Sequence, residues 1–412
     1  MRILIYSYNY APEPIGIAPL MTELAEGLVK RGHTVRVVTG MPNYPERRIY
    51  EKYRGKLYLT EQINGVTVQR CWLWIRPKPG LLGLLDRVLQ EVSFVVTSLP
   101  QVLLGRRPDV ILLTVPSLPI CVPAALTGWL RRCPIVLNVQ DILPEAAVRV
   151  GLIKNKLLIR VFEVLEKFAY HRANKISVIA DGFKENLLCK GVNPQKIELI
   201  PNWVDVNFIH PLPKENNAFR DAHNLKGKFV VLYSGNIALT QPLETVIEAA
   251  SRLRHIPDIT IVIVGEEKAL GRLQRLCDRW QVENVLLLPF QPREQLPCML
   301  AAADIGLVVQ KSNVISFNMP SKIQVLLASG RPIVAAVPVT GTAARAVENS
   351  GGGIVVPAED QYALAQSILY LYSNPEAAEA LGKQGRHHAE QHYSFELALK
   401  RYEELFDVVK SR

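Results

Sequence analysis

The sequence predicts two α/β domains of similar size, each a doubly wound parallel sheet with helices on both faces. Three observations carry that reading. Short β-rich runs alternate with helical stretches along the chain, as strands joined by crossover helices do. The alternation breaks at the polar stretch HPLPKENNAFRDAHNLKGK beyond residue 206 and then resumes, which marks a linker region. The 412 residues also exceed one typical core of roughly 100–200 residues. With 49% hydrophobic and 21% charged residues, disorder as the main state is excluded.

In chain order, the first-half strands are RILIYSY, TVRVVTG, GVTVQRCW, DVILLTV, IVLNVQ, KISVIA and IELIPN. Their near-continuous apolar character suits strands covered on both faces. Between the first two, LMTELAEGLVKRG places Leu20, Leu24 and Leu28 every fourth residue, and Gly32 stops the helix. Val110–Leu130 is 21 residues without a charge, but Pro116, Pro119 and Pro123 interrupt it. We read it as strand, loop and helix. Leu81–Leu104 is apolar but broken by Asp86, Arg87, Gln90 and Glu91, so insertion across a bilayer would be costly. It lies on a membrane surface or packs in a core. Second-half strands are FVVLYSGN, ITIVIVGEE, NVLLLPF, IGLVVQ, PIVAAVP and GIVVP, and the amphipathic SFELALKRYEELFDVVK closes the chain as a helix. Ligands of such folds lie beyond the carboxyl ends of the strands, so a substrate cleft between the domains is expected.

The net charge of +10 is unevenly placed. Residues 1–206 hold 27 basic and 17 acidic side chains, and residues 207–412 hold 21 of each. No aromatic-basic motif or basic run accompanies the surplus, so a nucleic-acid partner is not expected. An anionic membrane surface or a phosphate-bearing acceptor explains it, as does plain solvated charge. The six cysteines form no C-x-x-C pair and the eight histidines lack metal-ligand spacing. A zinc module or disulfide scaffold is therefore not expected, and a reducing compartment fits. His387 and His388 are placed on an exposed helix. The start MRILIYSYNY has no basic region followed by a long apolar run, so no signal peptide is expected.

Three strand-to-helix turns could carry chemistry. In YNYAPEPIGIAPLMTEL, Gly16 precedes a helix and permits close backbone approach to a ligand. In YSGNIALTQPLETVIEAA, Gly235 and Asn236 end a strand, Pro242 suits a first helical turn and Glu244 favours a helix start. In SFNMPSKIQVLLASGRP, Ser321 is a candidate N-cap and Lys322 sits in the first turn. Cations are disfavoured there, because the macrodipole already makes a helix start positive. An anion bound at the same place would reverse that. The bland alternative is an exposed lysine reaching into solvent. Dinucleotide-binding, P-loop, nucleophile-elbow and H-E-x-x-H motifs are absent.

The ordered set YAPEPIG, RGHTVRVVTGMPNYP, VQDILPEAA, IPNWVD, YSGN and PSKIQVLLASGRPIV resembles retaining glycosyltransferases of the GT-B fold, family 4-like. It is most similar to the colanic-acid-type and L-fucosamine-type transferases of bacterial surface polysaccharide synthesis. The resemblance implies an acceptor-binding domain at 1–206, joined by a returning C-terminal helix at 394–412. It implies a nucleotide-sugar-binding domain at 207–393. Gly235 and Asn236 match the loop approaching the donor diphosphate, and Ser321 with Lys322 matches the helix start facing it. Gly265, Glu266, Pro289 and Phe290 match strand ends near ribose and base, although ordinary turns after buried strands would look the same. Gly16 matches the loop approaching the phosphates across the cleft. Asp141 matches a polar position near sugar or acceptor, and Glu145 a helix cap. Lys322 and Asp141 are thus the candidate catalytic residues.

The chain departs from the pattern as well. Where relatives carry Arg and Lys in a G-R…K-G loop it has Asn236 and Gln241, with Pro242 in place of the glycine. Phe317 and Val325 stand where paired glutamates hold sugar and ribose hydroxyls, and Gln140 replaces a histidine. The implied reaction moves a sugar from a GDP- or UDP-linked donor to a lipid-linked or oligosaccharide acceptor, with retention. No cofactor or protein-bound metal is implied. The implied location is cytoplasmic, with peripheral contact of the N-terminal half at the plasma membrane. Rival readings are a nucleotide-sugar epimerase on the same fold and a non-catalytic nucleotide-sugar-binding scaffold.

Overall fold

The computed structural model describes residues 1–14, 16–77, 83–142, 145, 155–237, 240–314 and 317–411. They divide into two compact units, Met1–Ile200 with Leu399–Arg412, and Pro201–Ala398.

In the first unit, strands β1 (Arg2–Tyr6), β2 (Thr34–Gly40), β3 (Tyr58–Ile63), β4 (Val66–Cys71), β5 (Val110–Val115), β6 (Ile135–Val139), β7 (Lys175–Val178) and β8 (Ile197–Leu199) form one sheet. Their order is β3-β4-β2-β1-β5-β6-β7-β8. All neighbours are parallel except β3 and β4. The sequence reading omitted β3. Its YLTEQI alternates exposed and half-buried positions and offers no apolar run. What marks it is the turn that follows: Asn64 and Gly65 both adopt positive φ, 49° and 83°, as a two-residue hairpin requires.

Helices α1 (Ile17–Lys30), α2 (Gly83–Leu103), α3 (Cys121–Arg131), α4 (Lys156–Arg172) and α5 (Asp181–Cys189) cover this sheet. α1 buries Met21, Leu24 and Leu28, the face its period required. The charge-free stretch resolves into β5, a short 3₁₀ turn and α3, and no described helix is long and apolar enough to cross a membrane. α2 packs one side into the core and leaves apolar side chains exposed on the other. Asp86, Phe94, Thr97, Ser98 and Val102 are buried, while Leu85, Val88, Leu89, Val92 and Val96 are exposed. Leu81 and Leu82, which the sequence reading included, lie outside the described residues.

The second unit is an all-parallel sheet of β9 (Phe229–Ser234), β10 (Ile259–Gly265), β11 (Val285–Pro289), β12 (Ile305–Val309), β13 (Ile333–Val337) and β14 (Gly353–Pro357). The order β11-β10-β9-β12-β13-β14 reverses direction between β9 and β12. Hydrophobic clusters lie on both faces, one built around Val230, Leu232, Ile323 and Leu327, the other around Val231, Ile247, Ile263 and Ile368.

Among the described residues, the helices wholly within this unit are α6 (Ala218–Ala222), α7 (Leu243–Leu253), α8 (Glu267–Trp280), α9 (Leu296–Ala301), α10 (Lys322–Ala328), α11 (Thr342–Ser350), α12 (Gln361–Ser373) and α13 (Pro375–His392). His387 is exposed on α13. His388, however, is half-buried against His392 and Tyr393 at ring distances of 4.3 and 5.3 Å, which corrects the expectation of an exposed pair. Desolvation, helped by the neighbouring His392 and His387, pushes its pKa down to about 4.

The closing helix α14 (Phe395–Lys410) contributes most of its length to the first unit. There Asn138 donates to Tyr402 Oη at 2.7 Å, and Glu403 pairs with Arg31 and His33 at 2.5 and 2.9 Å. The two sheets, with the chain end returned to the first, are the GT-B architecture.

Candidate functional site

In a doubly wound sheet, two loops leave in opposite directions where the strand order reverses, and a crevice opens between them. In the second unit those loops follow β9 and β12. The first carries Gly235 and the second leads to Lys322. The lysine side chain reaches the glycine: a Cβ built on Gly235 would lie 2.9 Å from Lys322 Nζ and 3.2 Å from its Cε. Gly235 also has a φ of +144°, a conformation that L side chains rarely adopt. Glycine is needed here twice, for the turn and for the lysine passing beneath it.

Lys322 Nζ sits 3.6 Å from the centroid of the Tyr233 ring. The residue is only half-buried, yet Nζ itself is sealed from solvent and has no hydrogen-bond partner among the described residues. Burial lowers its pKa from the ordinary 10.5 to about 7. The bland alternative of a solvated lysine is thereby corrected, since the side chain runs under the β9 turn. Tyr233 Oη donates to the Asn236 carbonyl at 2.7 Å, so one tyrosine shapes the turn and carries the ammonium on its face. Burial raises the Tyr233 pKa.

Ser321 occupies the N-cap position but does not cap. Its backbone is helical (φ −60°, ψ −20°) and its hydroxyl accepts no N–H. α10 is only seven residues long, so its dipole is a smaller factor than the sequence reading supposed. The buried ammonium is the larger one. Ser321 and Asn236 are exposed.

Gly265 ends β10, in register with Pro289 at the end of β11. A Cβ there would collide with Ile237 Cδ1 at 2.4 Å, so packing of the β9 loop explains this glycine. Glu266 is exposed at the N-cap position of α8 without capping it, and its carboxylate has no partner among the described residues. Phe290 is 49% exposed. Phe317 is buried and Val325 packs on the core, so neither position offers a polar group to a sugar. Pro242 precedes α7 as its N-cap residue, and Glu244 in the first turn pairs with Arg272 at 2.7 Å.

In the first unit the strand order reverses between β1 and β5. Gly16, exposed at the start of α1, has φ +72° and, among the described residues, no atom within 4 Å of a built Cβ. Asp141 follows β6. It is exposed as a residue, yet desolvation raises its pKa against the pull of the Ile142 N–H at 2.9 Å. Glu145 accepts from Asn186 at 2.8 Å and pairs with Lys190 at 3.1 Å. Leu143, Pro144, Ala146 and Ala147 of the VQDILPEAA motif lie outside the described residues.

Two carboxylates escaped the sequence reading as site residues. Glu13, 4% exposed, accepts from the backbone N–H of Asn43 and Tyr44 at 2.8 and 2.9 Å and from Asn9 Nδ2 at 2.6 Å, fixing the loops after β1 and β2. Glu91 on α2 accepts from the Ser117 hydroxyl just beyond β5, while Gln90 donates to Tyr8 just beyond β1. Burial pushes Glu91 up to about 6. The spacing Asp86, Gln90, Phe94, Thr97, Ser98 was the available signal, since it puts Gln90 beside the inward face of α2. Among the described residues no group of three or more His, Cys, Asp or Glu could hold a metal ion.

The family profile described as glycosyl transferase 4-like domain matches residues 16–203, and that of glycosyl transferases group 1 matches residues 215–388. The Escherichia coli K12 protein WcaI, named as a putative colanic acid biosynthesis glycosyl transferase, is 34% identical over 80% of this chain and 82% of its own. WbjE of Pseudomonas aeruginosa, named as a probable glycosyltransferase, is 25% identical over 73% of this chain and 72% of its own. The solved structure of Anabaena HepE in complex with UDP has a TM-score of 0.72 at 17% identity, covering 99% of this chain and 100% of its own. Sucrose-phosphate synthase of Thermosynechococcus elongatus has a TM-score of 0.71 at 18% identity, covering 100% and 99%. This chain belongs to the glycosyltransferases that join a 4-like domain to a group 1 domain, and it is a transferase of sugars.

Proposed function

We propose that the enzyme moves a sugar from a GDP- or UDP-linked donor to a lipid-linked or oligosaccharide acceptor in surface polysaccharide synthesis, with retention at the anomeric carbon. The observation that carries this is the ammonium of Lys322 at the reversal of the second sheet, sealed and without a hydrogen-bond partner among the described residues. An unpaired buried cation is costly and calls for an anion. Cleaving a sugar–diphosphate bond builds negative charge on the departing phosphate, and a preorganised donor facing that charge is typically worth about 10²–10³ in rate. Lys322 supplies the cation, and Gly235, Asn236 and Ser321 are the candidate diphosphate contacts beside it. Glu266, Pro289 and Phe290 lie along the neighbouring strand ends as candidate ribose and base contacts, with Gly265 beneath as packing.

In the first unit Gly16 is the candidate contact to the donor phosphates, and Asp141 and Glu91 are the candidate acceptor-side groups. Support for a nucleotide-sugar donor comes from the structural neighbours, since HepE structures hold UDP and UDP-glucose. Support for the polysaccharide role comes from the name of the E. coli relative. The basic surplus of residues 1–206 and the exposed apolar side of α2 suit an acceptor presented at a membrane, with the enzyme peripheral on its cytoplasmic face.

The test is Lys322→Ala, assayed against candidate nucleotide-sugars with a membrane extract as acceptor source. Donor KM should rise and kcat should fall at least tenfold, about 1.4 kcal/mol or more. Wild-type kinetics would remove the lysine from the phosphate site.

A further inference from the structure

We propose a second anion site, at the opposite end of the first sheet from its ligand-binding edge, which takes the phosphate of an anionic phospholipid headgroup. It stands on the first unit alone and does not depend on the donor reading.

A cavity of about 660 Å³ opens where β1, β5 and β6 begin, closed on one side by the end of α3 and on another by the end of α14. Arg2, Arg107, Arg132, Arg172 and Lys410 line it, against one carboxylate, Asp109. That carboxylate is already taken, because Arg2 holds it through its backbone N–H at 2.7 Å and Nη2 at 3.2 Å. Burial would raise the Asp109 pKa, but Arg2, with a smaller pull from Lys410, outweighs it and keeps the carboxyl low. The other four cations form no salt bridge among the described residues. Scaffold contacts orient two of them: Arg107 Nη2 donates to the Arg132 carbonyl at 2.6 Å, and the Arg172 guanidinium lies 5.5 Å from the Phe168 ring centroid. Like charges gathered around one hollow repel unless an anion enters it.

The rim identifies the source of that anion. Trp129, 71% exposed, lines the cavity itself. Leu130 beside it is exposed, as is Leu104, whose turn is tied to the end of α3 by Arg131 donating to the Gly105 carbonyl. Val122 and Leu126 extend the apolar side up α3. A free phosphate needs only the cations. Cations around a hollow, an indole at its lip and a leucine-valine stripe beside it together match a headgroup with its acyl boundary. Because strands begin at this edge and end at the opposite one, a lipid held here is an anchor and not the acceptor.

The experiment is co-sedimentation at low salt with vesicles of phosphatidylcholine, with and without phosphatidylglycerol. The triple variant Arg132→Gln, Arg172→Gln, Lys410→Gln removes side chains that make no hydrogen bond among the described residues, so the fold should persist; the far-ultraviolet spectrum checks this. At about fivefold per cation, binding to the anionic vesicles should fall on the order of 100-fold, with a nucleotide-induced thermal shift unchanged. Trp129→Ser should weaken binding to the same vesicles while keeping its salt dependence. A control triple on exposed cations of the second unit, Arg254→Gln, Arg275→Gln, Arg279→Gln, should bind as wild type. Unchanged binding by the first triple overturns the site, and an equal loss in the control reduces it to diffuse charge. Stabilisation of wild type but not of the triple by glycerol 3-phosphate, with vesicle binding unaffected, would assign the hollow to a soluble anion instead.

Discussion

Lys322 shows how one side chain can link folding and binding. Its pKa of about 7 lies below the ordinary 10.5 of an unfolded chain. Between those values the unfolded chain holds the extra proton, so stability rises with pH across that window and the penalty is fully present below it. Wild type should gain up to about 1.4 kcal/mol per pH unit between pH 7 and 9 relative to Lys322→Met, read from urea midpoints at each pH. Parallel curves would mean that the ammonium is not sealed. A diphosphate should restore the charged form, so nucleotide binding at pH 8 should take up a proton, visible as buffer-dependent enthalpy. Gly235→Ala attacks the same corner from the other side, with a strained φ and a contact on Nζ. It should cost about 1–3 kcal/mol and weaken nucleotide binding along with it. Glu91, at about 6, should give the rate an acidic limb near that pH, which Glu91→Gln removes.

At the scale of elements, the β3–β4 hairpin and α14 are the two additions that complete the first sheet. Gly65 combines φ +83° with a built Cβ only 2.8 Å from Val29 Cγ1. Gly65→Ala should therefore destabilise by about 1–2 kcal/mol in equilibrium denaturation, and a neutral result would show that the turn can change type. α14 was legible as an amphipathic tail, and its docking is specific. Tyr402 meets Asn138 inside the sheet, and Tyr402→Phe should cost about 1 kcal/mol. α2 illustrates the limit of pattern reading: its composition suits a core or a membrane surface equally, and the fold uses one side of the helix for packing.

At the scale of the molecule, each unit has its own sheet and core, so each has the means to unfold as a unit. A nucleoside diphosphate at 100 times its Kd should stabilise the transition of the second unit by about 2.7 kcal/mol in a calorimetric scan. A shift confined to the other transition would take the donor site out of the second unit. The charge asymmetry belongs to this scale as well, since all of the basic surplus lies in residues 1–206.

Apart from β3, strand identity and fold class were written in local composition. Runs such as VILLTV and ITIVIVG suit strands of a sheet covered on both faces. The ordered motifs also pointed to the right family. The order of strands, and with it the meeting of Gly235 and Lys322 from loops far apart in the chain, required the folded structure, because a reversal point exists only between non-consecutive strands. Ser321 looked like a cap and is none, Lys322 could have faced solvent and is sealed, and Glu91 looked like an interruption and sits at a reversal point. In each case burial and partner, which are properties of the packed chain, set the chemistry of a side chain that sequence could only name.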